Sequence, residues 1–555
     1  MSLIVVHVNA QLVNVSNCLL LETDHTGGFL GTGVSFADFN GDDIDDLTFG
    51  HHEGQLRFYE GYNNQAGIGF QEVVLNITNF DSEAKAVLWA DIDNDGDQDF
   101  LVTNRNASNK LWRNEGGMQF TDITELSGIS TQDNTKSYGA SFGDYNNDGF
   151  LDLYICNYHT QVDVSTNELY QNNGDGTFLN VTNLAGVGNG LAQSLQSTFI
   201  DIDLDGHLDL HVVNDRVDYP NVFYKNNGEG TFTDKATTWE VNLTVLAMST
   251  SFADYDRDGD MDLYVTNGSN GNFLMRNNLN TYGIFEDVSA QEDVDVGQIS
   301  WGASWFDHNN DTWPDLYIAT GISVFTENPL VFDLFGYQPN QFFINDGLSP
   351  MTNVSQTTPL NDQYSFAVAT GDYNNDGFPD VVSHQIGNYA IVLAGIPNEN
   401  HFLKIRPQGE TVNRDAIGAA VGVYHSGGVE MNVVFCGDKY LSQNSRYLHF
   451  GLGTSTQIDS VVVQWPGGSE EVFTGISIDT SIVIIEGTSL DGGFNNDCPD
   501  PWSFCGLETV WDVETETCVS IFTENMCPSD LNNDGYINVP DLLLLLINFG
   551  TICTE

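Results

Sequence analysis

The sequence predicts an all-β protein: a seven-bladed β-propeller followed by a small β-rich domain and a short disulfide-linked tail with one EF-hand-like loop and helix. Three observations carry that expectation. A nine-residue acidic pattern recurs seven times, 53 to 65 residues apart. Short apolar runs bounded by turn residues follow each copy. Five of the eight cysteines lie in the last 58 residues.

The repeats come first along the chain. They read DFNGDDIDDL from Asp38, DIDNDGDQDF from Asp91, DYNNDGFLDL from Asp144, DIDLDGHLDL from Asp201, DYDRDGDMDL from Asp254, DHNNDTWPDL from Asp307 and DYNNDGFPDV from Asp372. The last interval is the longest and holds an insertion around Gly321 to Asn340. A period near fifty residues marks a propeller, a solenoid or an array. Two positions before the first Asp stands an aromatic residue in six copies: Phe36, Trp89, Phe142, Phe199, Phe252 and Trp305. After the ninth position come an apolar strand (153–157, 210–214, 263–267), a third strand ending in a turn signal (167–174, 221–228, 340–347) and a fourth strand (176–182, 283–289). Four antiparallel strands repeated seven times are the signature of a propeller, and no amphipathic helix fits between them.

Residues 11–400 are thus expected to form the propeller. Gln11 to Ser16 resembles the fourth-strand pattern at 351–355, while the seventh repeat runs from its strand at 389–395 directly into different sequence. The N-terminal strand is expected to supply the missing outer strand of the last blade. Residues 1–10 read as the remnant of a secretory signal, with Ala10 last before cleavage, or as a plain first strand. Glycosylation sequons at Asn14, Asn76, Asn106, Asn180, Asn242, Asn267, Asn310 and Asn353 fall in several cases on the fourth-strand motif and read as by-products of the repeat.

Within each copy, positions one, three, five and nine are Asp or Asn. The first loop offers Asp38, Asn40, Asp42 and Asp46; the second offers Asp91, Asp93, Asp95 and Asp99; the third offers Asp144, Asn146, Asp148 and Asp152. The fourth has Asp201, Asp203, Asp205 and Asp209, and the fifth Asp254, Asp256, Asp258 and Asp262. The sixth has Asp307, Asn309, Asp311 and Asp315, and the seventh Asp372, Asn374, Asp376 and Asp380. Hard oxygen donors at alternate positions, a Gly after the fifth to turn the chain and a carbonyl at the seventh suit Ca2+. Closure by Asp at position nine separates these loops from an EF-hand and lets the next strand start at once. Mg2+ would demand a tighter octahedron and more water, and the absence of His or Cys from the set disfavours zinc and copper. Asp43 and Thr312 stand where other copies have Gly, so those two sites are expected to bind more weakly if the turn needs a positive φ.

On these motifs, residues 12 to 400 resemble the FG-GAP, or VCBS-type, repeats of integrin-α-like seven-bladed propellers. The resemblance implies that the Asp loops join the first two strands of each blade and bind calcium.

Residues 401–488 lack Asp loops and are rich in Val and Ile. The stretches 413–424, 440–453 and 461–468 resemble the ASPIC/UnbV domain, which follows such propellers in cartilage acidic protein-like and bacterial secreted proteins. Arg414, Asp415 and His449 do not make a catalytic set, because no nucleophile with a base at a defined spacing accompanies them. Arg414 and Asp415 are expected to hold a turn, and His449 to pack beside Phe450.

Residues 489–497 form a polar linker, and 498–555 a cysteine-rich tail. There DLNNDGYINVPD fits an EF-hand-type loop with Asp530, Asn532, Asp534 and Asp541 as ligands, followed by an apolar helix. It resembles half of a dockerin. Cys527 could pair with Cys553 and Cys505 with Cys518, leaving Cys498, in an oxidising compartment.

The chain has 78 acidic residues against 16 basic ones, a formal net charge of -62. Nucleic acid and anionic membranes do not fit such a surface, and no apolar run is long enough to span a bilayer. Seven divalent ions would offset less than a quarter of that charge, so the remaining acidity suits saline surroundings, where screening lengths are short. The expectation is a secreted or cell-surface calcium-binding protein, with about seven propeller sites plus one tail site. It would act in adhesion or as a binding module for an extracellular glycan or protein. The alternatives are a polysaccharide-active lyase or hydrolase on a propeller scaffold, or a spacer in a larger assembly.

Overall fold

The computed structural model describes residues 12–23, 29–52, 54–64, 67–77, 82–132, 136–160, 165–321, 339–360 and 365–488, with the backbone of 509–512 and 517–520. The chain divides into two compact units, Met1–Leu490 and Asp491–Glu555. In the second unit, Thr509–Asp512 pairs antiparallel with Thr517–Ser520. Residues 1–10, most of the insertion around Gly321 to Asn340, the proposed tail disulfides and the loop from Asp530 to Asp541 lie outside the described residues.

Residues 12–395 of the first unit form seven four-stranded antiparallel sheets. The third is representative. Its strands are Ser137–Gly143, Asp152–Asn157, Glu168–Asn172 and Phe178–Asn180, with Phe142 opposite Leu153, Leu153 opposite Tyr170 and Tyr170 opposite Asn180. Its first two strands are buried along their whole length, whereas the fourth buries Phe178 alone. Burial on both faces explains why the inner strands read as continuous apolar and small-residue runs.

The first strand of each sheet packs on the first strand of the next, from Val34–Ala37 through to Ser365–Gly371, which lies against Val34–Ala37 again. This is a β-propeller arrangement. The six repeat aromatics are buried. Trp89 shows how: it packs on Phe39 and Phe58 of the first sheet and on Phe100 and Phe120 of its own. Burial of each such side chain stabilises by about 1.5–3 kcal/mol.

The last sheet takes its outer strand from the other end of the unit. Val13 pairs with Ala394 and Asn14 with Leu393, antiparallel. Asn14 also makes the fourth-strand turn. Its Oδ1 accepts from the Ser16 amide at 3.1 Å, as Asp122 accepts from Thr124 at 3.0 Å, Asn180 from Thr182 at 3.2 Å and Asn353 from Ser355 at 3.0 Å. Asn and Asp both serve as acceptors in this turn, which is why sequon-like triplets recur on it.

Residues 401–488 form two further sheets. One has the order Leu448–Gly453, His401–Gln408, Thr480–Ile485, and the other Gly428–Val433, Ala420–His425, Ile458–Gln464, Glu470–Phe473. Between them, the segment from Cys436 to Ser445 lies among the first strands of five propeller sheets. The Phe142 amide donates to Cys436 O, and Phe36 to Gln443 O. The Gln443 side chain accepts from Trp89 N at 2.8 Å and donates to Trp89 O at 3.0 Å. Thr370 N donates to Asn444 Oδ1 at 2.9 Å. Tyr440 is fully buried; its hydroxyl donates to Leu30 O at 2.6 Å, and its ring lies 5.4 Å from Trp301.

Candidate metal centres on the Asp loops

Each Asp loop joins the first and second strands of its sheet, and its ninth residue opens the second strand. Two left-handed turns give every loop its shape. The sixth position has φ 64 at Asp43, 95 at Gly96, 88 at Gly149, 86 at Gly206, 94 at Gly259, 86 at Thr312 and 82 at Gly377. The expected positive φ therefore occurs at both Asp43 and Thr312, where a side chain is strained.

The fourth position is left-handed as well, at Gly41, Asn94, Asn147, Leu204, Arg257, Asn310 and Asn375. Sequence reading overlooked this, although Asn at four of the seven copies is a usable signal. The fourth residue also links neighbouring loops. Asn94 Nδ2 donates to Gly149 O, Asn147 to Gly206 O and Asn310 to Gly377 O, each at 2.9 Å, and Arg257 donates to Thr312 Oγ1 at 2.6 Å.

The four ligand positions have different duties. The first Asp accepts from the amides of the fifth and sixth residues at 2.6–3.1 Å in all seven loops. The fifth Asp accepts from the seventh amide, for example Asp97 N to Asp95 at 2.9 Å and Trp313 N to Asp311 at 3.0 Å. Asn40, Asn146, Asn309 and Asn374 each accept from the fifth amide at 2.9–3.1 Å.

The ninth Asp is fully buried and fastens the loop to the third strand of its own sheet. Asp46, Asp99, Asp152, Asp209, Asp262, Asp315 and Asp380 accept from Gly61, Asn114, Asn172, Asn226, Asn277, Asn345 and Gly395 at 2.7–3.0 Å. The Asn residues then bridge sheets: Asn172 Nδ2 donates to Ile92 O, Asn226 to Tyr145 O and Asn345 to Tyr255 O at 2.7–2.8 Å. The third-strand Asn was visible in the sequence only as a turn signal.

Burial first, and neighbouring carboxylates second or later, raise the acids. Asp46 and Asp99 rise to about 9, Asp209 and Asp254 to about 8, Asp91 to about 7, and Asp144 and Asp201 to about 6. Asp152, Asp262, Asp307 and Asp380 lie well above the usual range for the same reason. Charge this concentrated calls for protons or a cation.

Oxygens of Asp91, Asp93 and Asp99, of Asp201, Asp203 and Asp205, and of Asp254, Asp256 and Asp262 converge to within 4.8 Å in each group. Buried Oδ1 atoms of Asp93, Asp256 and Asp260 have no hydrogen-bond partner. Asp260, at the seventh position, is a further carboxylate that sequence reading did not single out. In the second and fifth loops, all-oxygen donors with unpartnered buried lone pairs fit a hard divalent cation; in the fourth, Lys225 already meets Asp203 and Asp205.

Residues of 401–488 reach every loop. Arg406 bonds Asp43 at 2.9 Å, Arg414 N donates to Asn94 Oδ1 at 2.9 Å, and Lys404 bonds Asp372 at 2.9 Å and Asn375 at 2.7 Å. Arg257 pairs with Glu430. Thr411 lies beside Gly149, and Gly467 beside Gly206. Arg414 and Asp415 sit in a turn closed by Ala416 N to Asn413 O at 2.9 Å, as expected, and Asp415 also reaches the second loop, accepting from Asp91 N at 2.8 Å and from Gln98. His449 Nε2 meets Asn310 Oδ1 at 2.7 Å, and its ring stacks on Phe402, not Phe450. Strand alternation sends the side chains of His449 and Phe450 to opposite faces. Arg414 and Asp415 thus sit at loop two and His449 at loop six, on separate tasks.

Sheet-borne repeats with oxygen-lined loops define the class. The chain belongs to the FG-GAP-like repeat family, whose model matches residues 38–102, 91–155, 201–265, 254–318 and 330–383, together just over half of the chain. The ASPIC and UnbV model matches residues 409–491. Cartilage acidic protein 1 of Xenopus tropicalis is 27% identical over 132 residues, and that of Homo sapiens 29% over 133. Each match covers 22% of this chain, and the chain spans about a fifth of the length of these relatives (20%). Among solved structures, BBS1N in complex with ARL6DN is similar with a TM-score of 0.44 at 9% identity, covering 70% of this chain and 99% of that one. The BP39L lectin from Burkholderia pseudomallei has a TM-score of 0.42 at 9% identity, covering 66% and 96%. Among the described residues, no helix is long and apolar enough to cross a membrane.

Proposed function

We propose that the seven sheets are the blades of one closed ring, that the Asp loops bind Ca2+, and that the protein is an extracellular module that binds a glycan or another protein. The observation that carries this reading is the set of buried, unpartnered carboxylate oxygens inside the loops, at Asp93, Asp256 and Asp260. Such oxygens are costly to bury unless a cation meets them. Asp38, Asp91, Asp144, Asp254, Asp307 and Asp372 would hold the ion with their third-, fifth- and ninth-position partners. The ion would supply positive charge that lets the loop carboxylates stay ionised while buried. The tail loop from Asp530 to Asp541 would bind one more.

In this reading Val13–Asn14 closes the ring by covering the Ile391–Ala394 edge of the seventh sheet. Because residues of 401–488 already reach all seven Asp loops, the ligand belongs at the opposite ends of the strands, on the loops joining second strand to third. The relatives' name describes an acidic protein, and the net charge of -62 here suits saline surroundings.

The test is a panel of glycans and extracellular proteins, probed with the full chain in calcium and in chelator, with reducing ends and unsaturated products assayed in parallel. Calcium-dependent binding without product formation is expected. Turnover of a polysaccharide would replace this reading with the enzymatic one.

A further inference from the structure

Three loops carry an extra carboxylate, at Asp93, Asp203 and Asp256, where the other four have Asn40, Asn146, Asn309 and Asn374. The residue preceding the third-strand amide donor follows the same division. It is basic in those three sheets (Arg113, Lys225, Arg276), and Glu60, Gln171, Ile344 and Ala394 in the others. Basic side chains thus accompany the extra acid, but they are placed differently. Arg113 is held by Glu115 at 2.7 Å and Arg276 by Glu286 at 2.5 Å, and Asp93 Oδ1 and Asp256 Oδ1 remain buried without a partner.

Lys225 has no such anchor. Its cross-strand neighbour is Thr233, and Asn227 stands two residues on, where Glu115 follows Arg113. Its ammonium turns into the loop instead, at 2.5 Å from Asp203 Oδ1, 2.7 Å from Asp205 Oδ2 and 3.6 Å from Asp209 Oδ1, with the side chain only 14% exposed. In the other six loops the second residue's amide donates to the ninth Asp, as in Phe39 to Asp46 at 3.0 Å and Tyr255 to Asp262 at 3.2 Å. In the fourth, Asp209 Oδ2 has no partner.

We infer that the fourth loop carries its own cation: the Lys225 ammonium stands where the other loops take a divalent ion, and this loop stays folded without metal. The inference rests on the calcium reading of the other loops. An ammonium bonded to two carboxylates and close to a third gives charge-assisted hydrogen bonds. It also leaves no room for an ion at the roughly 2.3–2.6 Å that Ca2+ requires of the same oxygens.

The test measures bound calcium per full chain by equilibrium dialysis over a range of free calcium up to saturation, for the parent, Lys225→Met, Asp203→Ala and Asp93→Ala. Lys225→Met is expected to bind one ion more than the parent. Asp203→Ala is expected to match the parent, while Asp93→Ala, which removes a third-position oxygen that every other calcium loop keeps, loses or weakens one ion tenfold or more. Equal counts in the parent and a folded Lys225→Met overturn the inference. If Lys225→Met does not fold, loss or tenfold weakening of an ion in Asp203→Ala overturns it instead. A parent that binds no calcium overturns the reading of all the loops.

Discussion

Lys404 Nζ donates to Asp372 Oδ2 at 2.9 Å, with the lysine side chain 5% exposed and the aspartate 3%. The first belongs to the strand that opens residues 401–488 and the second to the seventh Asp loop, so one buried ion pair fastens the small β-rich region to the propeller. Lys404→Met leaves Asp372 buried without its partner. Breaking a buried pair in this way costs about 3–5 kcal/mol. The melting temperature should fall, and fall further in chelator than in saturating calcium, because an ion in loop seven replaces part of the lost positive charge. Equal losses in both conditions would disconnect the pair from the loop's cation.

Calcium should act on stability through the native state alone. The carboxylates of each loop repel one another, and a ligand bound only by the folded chain raises its stability by linkage. Differential scanning calorimetry should show a lower melting temperature in chelator, restored by calcium in preference to magnesium. An unchanged melting curve would count against metal in any of the loops.

The ninth position should matter more than the fifth. Asp99 accepts from Ile92 N at 3.1 Å and Asn114 N at 2.7 Å, both within the buried interior, whereas Asp95 lies exposed at the loop's rim. Asp99→Ala orphans two amides and should cost about 2–4 kcal/mol even in chelator. Asp95→Ala should cost little in chelator and act mainly by weakening calcium binding. Denaturant titration of both variants with and without calcium separates the two roles.

Gly33 leaves no room for a side chain. A Cβ there would lie 1.8 Å from Leu441 O. Gly33→Ala should therefore displace the segment from Cys436 to Ser445, at about 1–3 kcal/mol for an overpacked contact. Limited proteolysis should then cut between residues 436 and 445, where the parent resists. A variant as resistant as the parent would show that the segment can shift without leaving.

Removal of residues 12–16 should expose the Ile391–Ala394 edge that Val13 and Asn14 now cover. The shortened chain is expected to melt earlier or self-associate, read by calorimetry and light scattering. A monomer with the parent's melting temperature would show that the edge needs no cover.

Much of this was legible because the repeat writes the same physics seven times. Asp at positions one, five and nine, with an aromatic two residues earlier, announces a turn between two buried strands. The likeness of Gln11–Ser16 to a fourth strand was readable because Asn14 must make the same turn as Asn353. The segment from Cys436 to Ser445 was not legible. Its Gly, Lys, Gln and Asn residues look like a solvated loop, and what buries them is Trp89, Phe36 and Thr370, hundreds or tens of residues away in the chain. His449 was misplaced for the same reason: its partners Asn310 and Phe402 are not its neighbours in sequence. The coincidence of Asp203 with Lys225 was present in the letters, but it gains meaning only once register brings the third strand beside the loop.

The pairing of Val13 with Ala394 also sets a timetable. Synthesis runs from the first residue to the last, so the strand made earliest waits for the partner made almost last among the sheets. Throughout that interval, the space that Tyr440 finally fills stands open to solvent, with Tyr138, Trp301 and Phe366 on its walls. The longest-range contacts are thus the last that can form. A nascent chain halted before Ile391 has all seven sheet-borne Asp loops but neither the partner of Val13–Asn14 nor the segment that carries Tyr440, and chaperones or early metal capture would have their greatest effect in that window.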